Sequence, residues 1–144
     1  MSISTTPSAP GLPFFVYGTL RPGEVNHGHF LRGRTLREEP ALLTGAVLYD
    51  GPDYPYAVEE PGGTVAGELV TARPEAYARL LAELDRLEEY RPGDPHNLYE
   101  RVAREVAVGD GSAYAWVYVA APSVAAGLRA AGTLIGGGDW RARR

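Results

Sequence analysis

One segment, Pro74 to Tyr90, limits what the rest of the chain can become. PEAYARLLAELDRLEEY is rich in Ala, Leu, Glu and Arg, opens on a proline, and is stopped by Arg91-Pro92-Gly93-Asp94-Pro95. It reads as the one long helix. Either side of it, Phe14–Tyr17 and the stretches 41–50, 55–60, 64–70, 98–108 and 112–120 carry apolar, β-branched and aromatic runs typical of strands. Turn chemistry separates them: GPDYP at 51–55, Pro61-Gly62-Gly63 as hairpin punctuation, and Gly109-Asp110-Gly111. The stretch 18–40 reads as a long loop with one short helical turn, and 123–132 as a short helix. One helix interrupting hairpin-linked strands predicts an α+β fold. It would be a small mixed β-barrel or strongly curled sheet of about six strands, with one long and one or two short flanking helices.

The 144 residues fit one domain, placed at 14–140. MSISTTPSAPGLP has neither a basic segment nor an apolar one and reads as a disordered tail at 1–13. Arg141-Ala142-Arg143-Arg144 reads as a solvated tail. A net charge of −4 gives no footprint for nucleic acid. No apolar run approaches the roughly 18–20 residues of a membrane span. The chain has no cysteine, which removes disulfides and thiolate chemistry and fits a cytoplasmic protein. Nothing in the sequence sets the oligomeric state.

On a helical wheel, Tyr77, Leu80, Leu81, Leu84 and Leu87 share one face of the long helix. Glu88 falls roughly 20° from Leu81 and roughly 40° from Leu84, inside that apolar arc. Glu75 and Glu89 project away from it, and Glu83 and Asp85 lie at its margins. Two readings stay open. The helix frays near Arg91-Pro92 and Glu88 tips into water or pairs with an arginine, or the helix end borders a pocket. In the second case burial raises the carboxyl pKa and suits it to taking and returning a proton. Adjacent Glu89 is the competing candidate.

Near the start, FFVYGTLRPG raises a second pair of readings. A strand ending on Gly18-Thr19 is an ordinary tight turn, or a nest of backbone N–H groups for a carboxylate or oxyanion, with Gly18 admitting a ligand close to the main chain. Arg21 adds positive charge nearby or is simply solvated.

Other features point less far. His27-Gly28-His29, with His96, lacks a carboxylate at a ligand spacing and reads as surface, so no metal is expected. Gly136-Gly137-Gly138 lacks a following Lys-Ser/Thr and reads as a flexible joint before Trp140. Tyr114, Trp116 and Tyr118 alternate along one strand face and read as core or pocket wall. Tyr99 either reaches the cavity or packs.

Tyr17-Gly18-Thr19-Leu20-Arg21 with Pro22-Gly23 and Asn26-His27, then Tyr54-Pro55, Val65-Ala66-Gly67-Glu68-Leu69, Leu84-Asp85-Arg86-Leu87-Glu88, Leu98-Tyr99-Glu100-Arg101-Val102, Ala115-Trp116-Val117-Tyr118 and Leu134 to Trp140 resemble, in order, the gamma-glutamylcyclotransferase-like family, in particular bacterial members and the gamma-glutamylamine type. The resemblance spans about 14–140. It implies a small mixed barrel with a cavity at its mouth. It also implies a Tyr17–Leu20 loop that binds the substrate's glutamyl part, Tyr99 beside it, and Glu88 as general acid/base. The implied reaction is intramolecular. The α-amine of a γ-glutamyl amine or peptide attacks its own γ-carbonyl, 5-oxoproline forms, and the amine leaves, with no cofactor. A non-catalytic relative that binds a small carboxylate or regulates is the other class. The link Arg91 to Asn97, longer than in some relatives, is expected to reshape the pocket rim.

Overall fold

The computed structural model describes residues 11–51 and 54–142. Most of the proposed N-terminal tail, 1–10, and the last two arginines lie outside the described residues. Five strands form the sheet: β1 Phe14–Val16, β2 Thr35–Tyr49, β3 Tyr56–Ala72, β4 Tyr99–Val108 and β5 Gly111–Ala120. The helices are α1 His27–Phe30, α2 Tyr77–Leu87 and α3 Pro122–Ala131. The sheet curls strongly, and its order β1-β3-β2-β4-β5 closes on itself. All neighbours run antiparallel except β1 and β5, which pair in parallel at Phe14 and Trp116.

The α+β, curled-sheet expectation holds, with five strands in place of six. The separate strands expected at 55–60 and 64–70 are one strand, and Pro61-Gly62-Gly63 is not a hairpin turn. Both halves of β3 pair with the long β2, Ala46–Tyr49 against the first half and Thr35–Thr44 against the second. The irregularity between them sits at Gly45 and Gly62, both with positive φ (82° and 89°). That is a backbone state glycine reaches freely, so the glycines bend a continuous ribbon there. β2 also begins earlier than 41, taking Thr35–Pro40 out of the expected loop. The β4–β5 turn is Gly109-Asp110, with φ positive at Gly109, as in a type II′ hairpin.

The core has two main parts. One, with Phe15, Leu43, Leu48, Val65, Val117 and Trp140, fills the inside of the curled sheet. The other, with Phe14, Val16, Val70, Leu80, Leu84 and Tyr118, lies where α2 packs on the sheet. β1 is buried on both faces, which is why its sequence is a continuous apolar run without alternation. In α2, Leu80 and Leu84 are fully buried, while Tyr77, Leu81 and Leu87 pack at the edge of the same cluster. The amphipathic stripe read from sequence therefore faces the sheet. The helix is shorter than 74–90, because Pro74–Ala76 form a 3-10 turn and the helix ends at Leu87. Near the C-terminus, Gly136–Gly138 forms a 3-10 turn whose last glycine is buried. Gly138 has φ 69°, and a Cβ there would meet the Thr64 carbonyl at 1.8 Å. Arg141 and Ala142 belong to a final 3-10 turn, and Arg141 lies 3.5 Å from Glu24, so this part of the expected tail is folded.

Candidate functional site

A hollow of about 160 Å3 opens between the end of β1, the C-terminal end of α2 and the start of β4. That is room for roughly five water molecules, the scale of a small amino-acyl group. Tyr17, Gly18, Thr19, Leu20, Glu88, Glu89 and Tyr99 all line it, so the candidates for substrate binding and proton transfer meet at one place. Asn26, Tyr54, Pro55 and Tyr118 line it too. The alternation of β5 had placed Tyr118 in the core or pocket wall. It does both, whereas Trp116 is only partly buried and Tyr114 is exposed.

The loop is a β-turn closed by the Arg21 N–H donating to the Gly18 carbonyl at 3.0 Å. Asn26 secures it, its backbone N–H reaching the Thr19 carbonyl and its side-chain amide the Thr19 hydroxyl, each at 2.9 Å. The N–H groups of Gly18, Thr19 and Leu20 find no acceptor among the described residues, and all three residues line the hollow. Such a set suits a carboxylate or an oxyanion. Glycine at 18 also has a packing reason: a Cβ there would come within 2.9 Å of the Pro55 ring.

Arg21 does neither of the things expected of it. It is buried, and it turns away from the hollow. Its guanidinium pairs with Glu68 through Nε at 2.8 Å and Nη2 at 3.2 Å, and with Asp139 through Nη1 at 2.7 Å. The sequence gives no sign of this, because Glu68 and Asp139 are 47 and 118 residues away.

The helix end explains how two adjacent glutamates differ. Glu88 caps α2, with the Tyr90 N–H donating to the Asp85 carbonyl at 2.8 Å and the Glu89 N–H to the Arg86 carbonyl at 3.0 Å. These are the two bonds of a Schellman motif, and they put Glu89 at the left-handed position with φ 54°. Glu89 is exposed there, while Glu88 is half-buried. Burial pushes the Glu88 carboxyl up to about 7, and among the described residues no donor or cation pairs with it. The helix does end where fraying was the alternative, yet its capping bonds hold Glu88 against the hollow.

Tyrosines form the remaining wall. Tyr17 donates to the Tyr118 carbonyl at 2.5 Å and accepts from the Ala57 N–H at 3.3 Å. Tyr99 donates to the Pro55 carbonyl at 2.9 Å and stacks on Tyr56 with ring centroids 4.8 Å apart. Burial first, and nearby Glu88 among the charges, pushes both phenols far above their ordinary range. They stay neutral hydrogen-bonding groups at any physiological pH.

The histidines are elsewhere. His27 Nε2 lies 2.8 Å from Glu38, and His96 lies 3.3 Å from Asp94. Among the described residues no three His, Asp or Glu side chains cluster as metal ligands would. The link 91–97 folds around buried Asn97, which bonds both the N–H and the carbonyl of Arg91, and it leads into Leu98 on the rim. No helix among the described residues is long and apolar enough to cross a membrane.

Comparison with known proteins adds a second line. The sequence profile of the family described as Gamma-glutamyl cyclotransferase, AIG2-like matches residues 14–142. The chain is 39% identical over 106 residues to the Gamma-L-glutamyl-butirosin B gamma-glutamyl cyclotransferase of Niallia circulans, a match covering 73% of this chain and 64% of that protein. It is 36% identical over 111 residues to a Halalkalibacterium halodurans protein to which the name gamma-glutamylcyclotransferase has been attributed, covering 76% of this chain and 90% of that one. YkqA of Bacillus subtilis superposes with a TM-score of 0.65 at 26% identity, over 91% of this chain and 40% of that structure. The chain thus spans less than two thirds of the butirosin relative and of YkqA.

Proposed function

The chain belongs to the gamma-glutamyl cyclotransferase, AIG2-like family, and from that premise we propose that it is a cyclotransferase that releases 5-oxoproline and an amine from a γ-glutamyl compound. Glu88 is the general acid/base, the amides of Gly18, Thr19 and Leu20 hold the glutamyl part, and the Tyr17 and Tyr99 rings form its walls. One observation carries this reading: a carboxyl group poised near pKa 7 borders the same hollow as three unpaired amides.

The substrate's α-amine arrives as an ammonium. Glu88, ionised, accepts one of its protons. The freed nitrogen attacks the γ-carbonyl carbon, a carbon–nitrogen bond forms, and negative charge moves to the carbonyl oxygen. When the tetrahedral species collapses, the bond to the leaving amine breaks as Glu88 returns its proton to that nitrogen, and the ring nitrogen's second proton passes by way of Glu88 to the departing amine, which leaves as an ammonium ion. Glu88 ends as it began, the lactam is closed, and no external nucleophile enters. A buried carboxyl near pKa 7 matches the two halves of this cycle, and such proton transfer is worth roughly 10²–10⁴ in rate. Holding amine and carbonyl in contact contributes roughly 7–11 kcal/mol more.

The test is a panel of γ-glutamyl amines and peptides, with 5-oxoproline measured by mass spectrometry. Wild-type protein is expected to form it, and Glu88→Gln to lose about 10²-fold or more in kcat. Equal turnover in the variant removes Glu88 from the chemistry. Ligand binding with no product anywhere in the panel replaces the cyclotransferase by a carboxylate-binding protein of the same fold.

A further inference from the structure

Nothing among the described residues bonds the Glu88 side chain, so its position depends on the backbone that carries it. That backbone is held at both ends. Asp85, one helical turn earlier, receives three hydrogen bonds: Arg101 Nε at 2.8 Å, Arg101 Nη2 at 3.3 Å and the Tyr118 hydroxyl at 2.6 Å. Tyr90, two residues past Glu88, lies under the same guanidinium at 5.4 Å, with Trp116 at 4.3 Å. The Tyr90 N–H closes back on the Asp85 carbonyl. Arg101 therefore grips the first and last residues of the six-residue segment on which Glu88 sits.

We propose that Asp85, Arg101 and Tyr118 are positioning residues: a clamp that fixes the Glu88 carboxylate relative to the Gly18–Leu20 amides. The proposal rests on the role given to Glu88 above. The second link is Tyr118. Its hydroxyl holds Asp85, while its carbonyl accepts from Tyr17, the residue immediately before Gly18. One chain of contacts thus runs from the helix end to the amide turn. An arginine suits the first link because its planar fork bonds a carboxylate twice and also lies flat on aromatic rings, and a lysine does neither. The ionisable groups that feel the Glu88 charge are the phenols of Tyr17, Tyr56, Tyr99 and Tyr118, with Glu89 next in sequence. All four phenols are raised and neutral, so the burial of Glu88 is the property the clamp controls.

The experiment uses the full chain with Arg101→Lys and, as a gentler change, Tyr118→Phe, which keeps the ring and the backbone bond to Tyr17. Carbon-13 NMR of labelled glutamate side chains follows Glu88 without substrate, and steady-state formation of 5-oxoproline gives kcat and KM. In folded variants the Glu88 midpoint is expected to fall by about one pH unit or more toward the ordinary glutamate range as the segment loosens into water. Expected with it is a tenfold or greater fall in kcat and a KM within threefold of wild type. A folded variant whose Glu88 titrates as in wild type overturns the clamp, whatever its rate. Should wild-type protein make no 5-oxoproline, the cyclotransferase reading fails, while movement of the Glu88 midpoint still decides the clamp.

Discussion

Glu88 and Glu89 are chemically identical neighbours, and a single backbone torsion separates their fates. With the Glu88 carboxyl near 7, the general-base form is lost as pH falls. The proposed kcat/KM is therefore expected to drop about tenfold for each pH unit below 7, measured as a pH–rate profile. Its absence in an active enzyme would remove Glu88 as the base. At Glu89 the left-handed conformation, φ 54°, strains a residue with a Cβ. Glu89→Gly relieves that strain at the position where glycine is most common. It is expected to raise stability by about 1 kcal/mol in urea denaturation while leaving α2 intact. The wheel found Glu88 because burial of a helix face is written in a local period. Glu89's torsion was not legible, since a Schellman ending without glycine has no sequence mark.

At the scale of elements, strands whose partners are close in sequence could be read directly. The β4–β5 hairpin announced itself through Gly109-Asp110-Gly111. β3 did not, because Pro61-Gly62-Gly63 carries the same residues whether the chain reverses or bends. Only the length of β2, which accepts both halves, decides between them. The Arg21 turn failed for a related reason, as its partners arrive from β3 and the C-terminal turn. Packing also fixes Gly138, whose φ of 69° and contact with the Thr64 carbonyl leave no room for a side chain. Gly138→Ala is expected to destabilise the fold by roughly 2 kcal/mol or more, seen as a fall in the urea midpoint. An unchanged midpoint would show that this turn yields easily.

Across the whole molecule, Arg21 joins the β1 turn, β3 and the C-terminal segment through one buried guanidinium. Arg21→Ala would leave Glu68 buried without a partner and is expected to cost roughly 3–5 kcal/mol. Replacing Arg21 and Glu68 together by apolar residues should recover much of it, and a double-mutant cycle would read the difference. Glu88 acts in the opposite sense. Its folded pKa lies above the ordinary 4.5, so its charge weakens the fold as pH rises from about 4.5 through 7. The full effect is at most about 3 kcal/mol. Glu88→Gln should therefore be more stable than wild type at pH 8 and nearly equal at pH 4.5, by urea denaturation at both.

The ladder pairs are distributed unevenly. β2 and β3 share thirteen and β4 and β5 share ten, yet β2 meets β4 at two and β1 meets β5 at one. The ring is two stiff ribbons fastened by thin seams. The hollow straddles them, with Tyr17 and the amide turn on one ribbon and Tyr99 and Tyr118 on the other. Breathing at the seams would widen the mouth without melting either ribbon, a cheap route for a product to escape. Deuterium uptake should then show the seam amides, between β2 and β4 and between β1 and β5, exchanging ahead of those inside either ribbon.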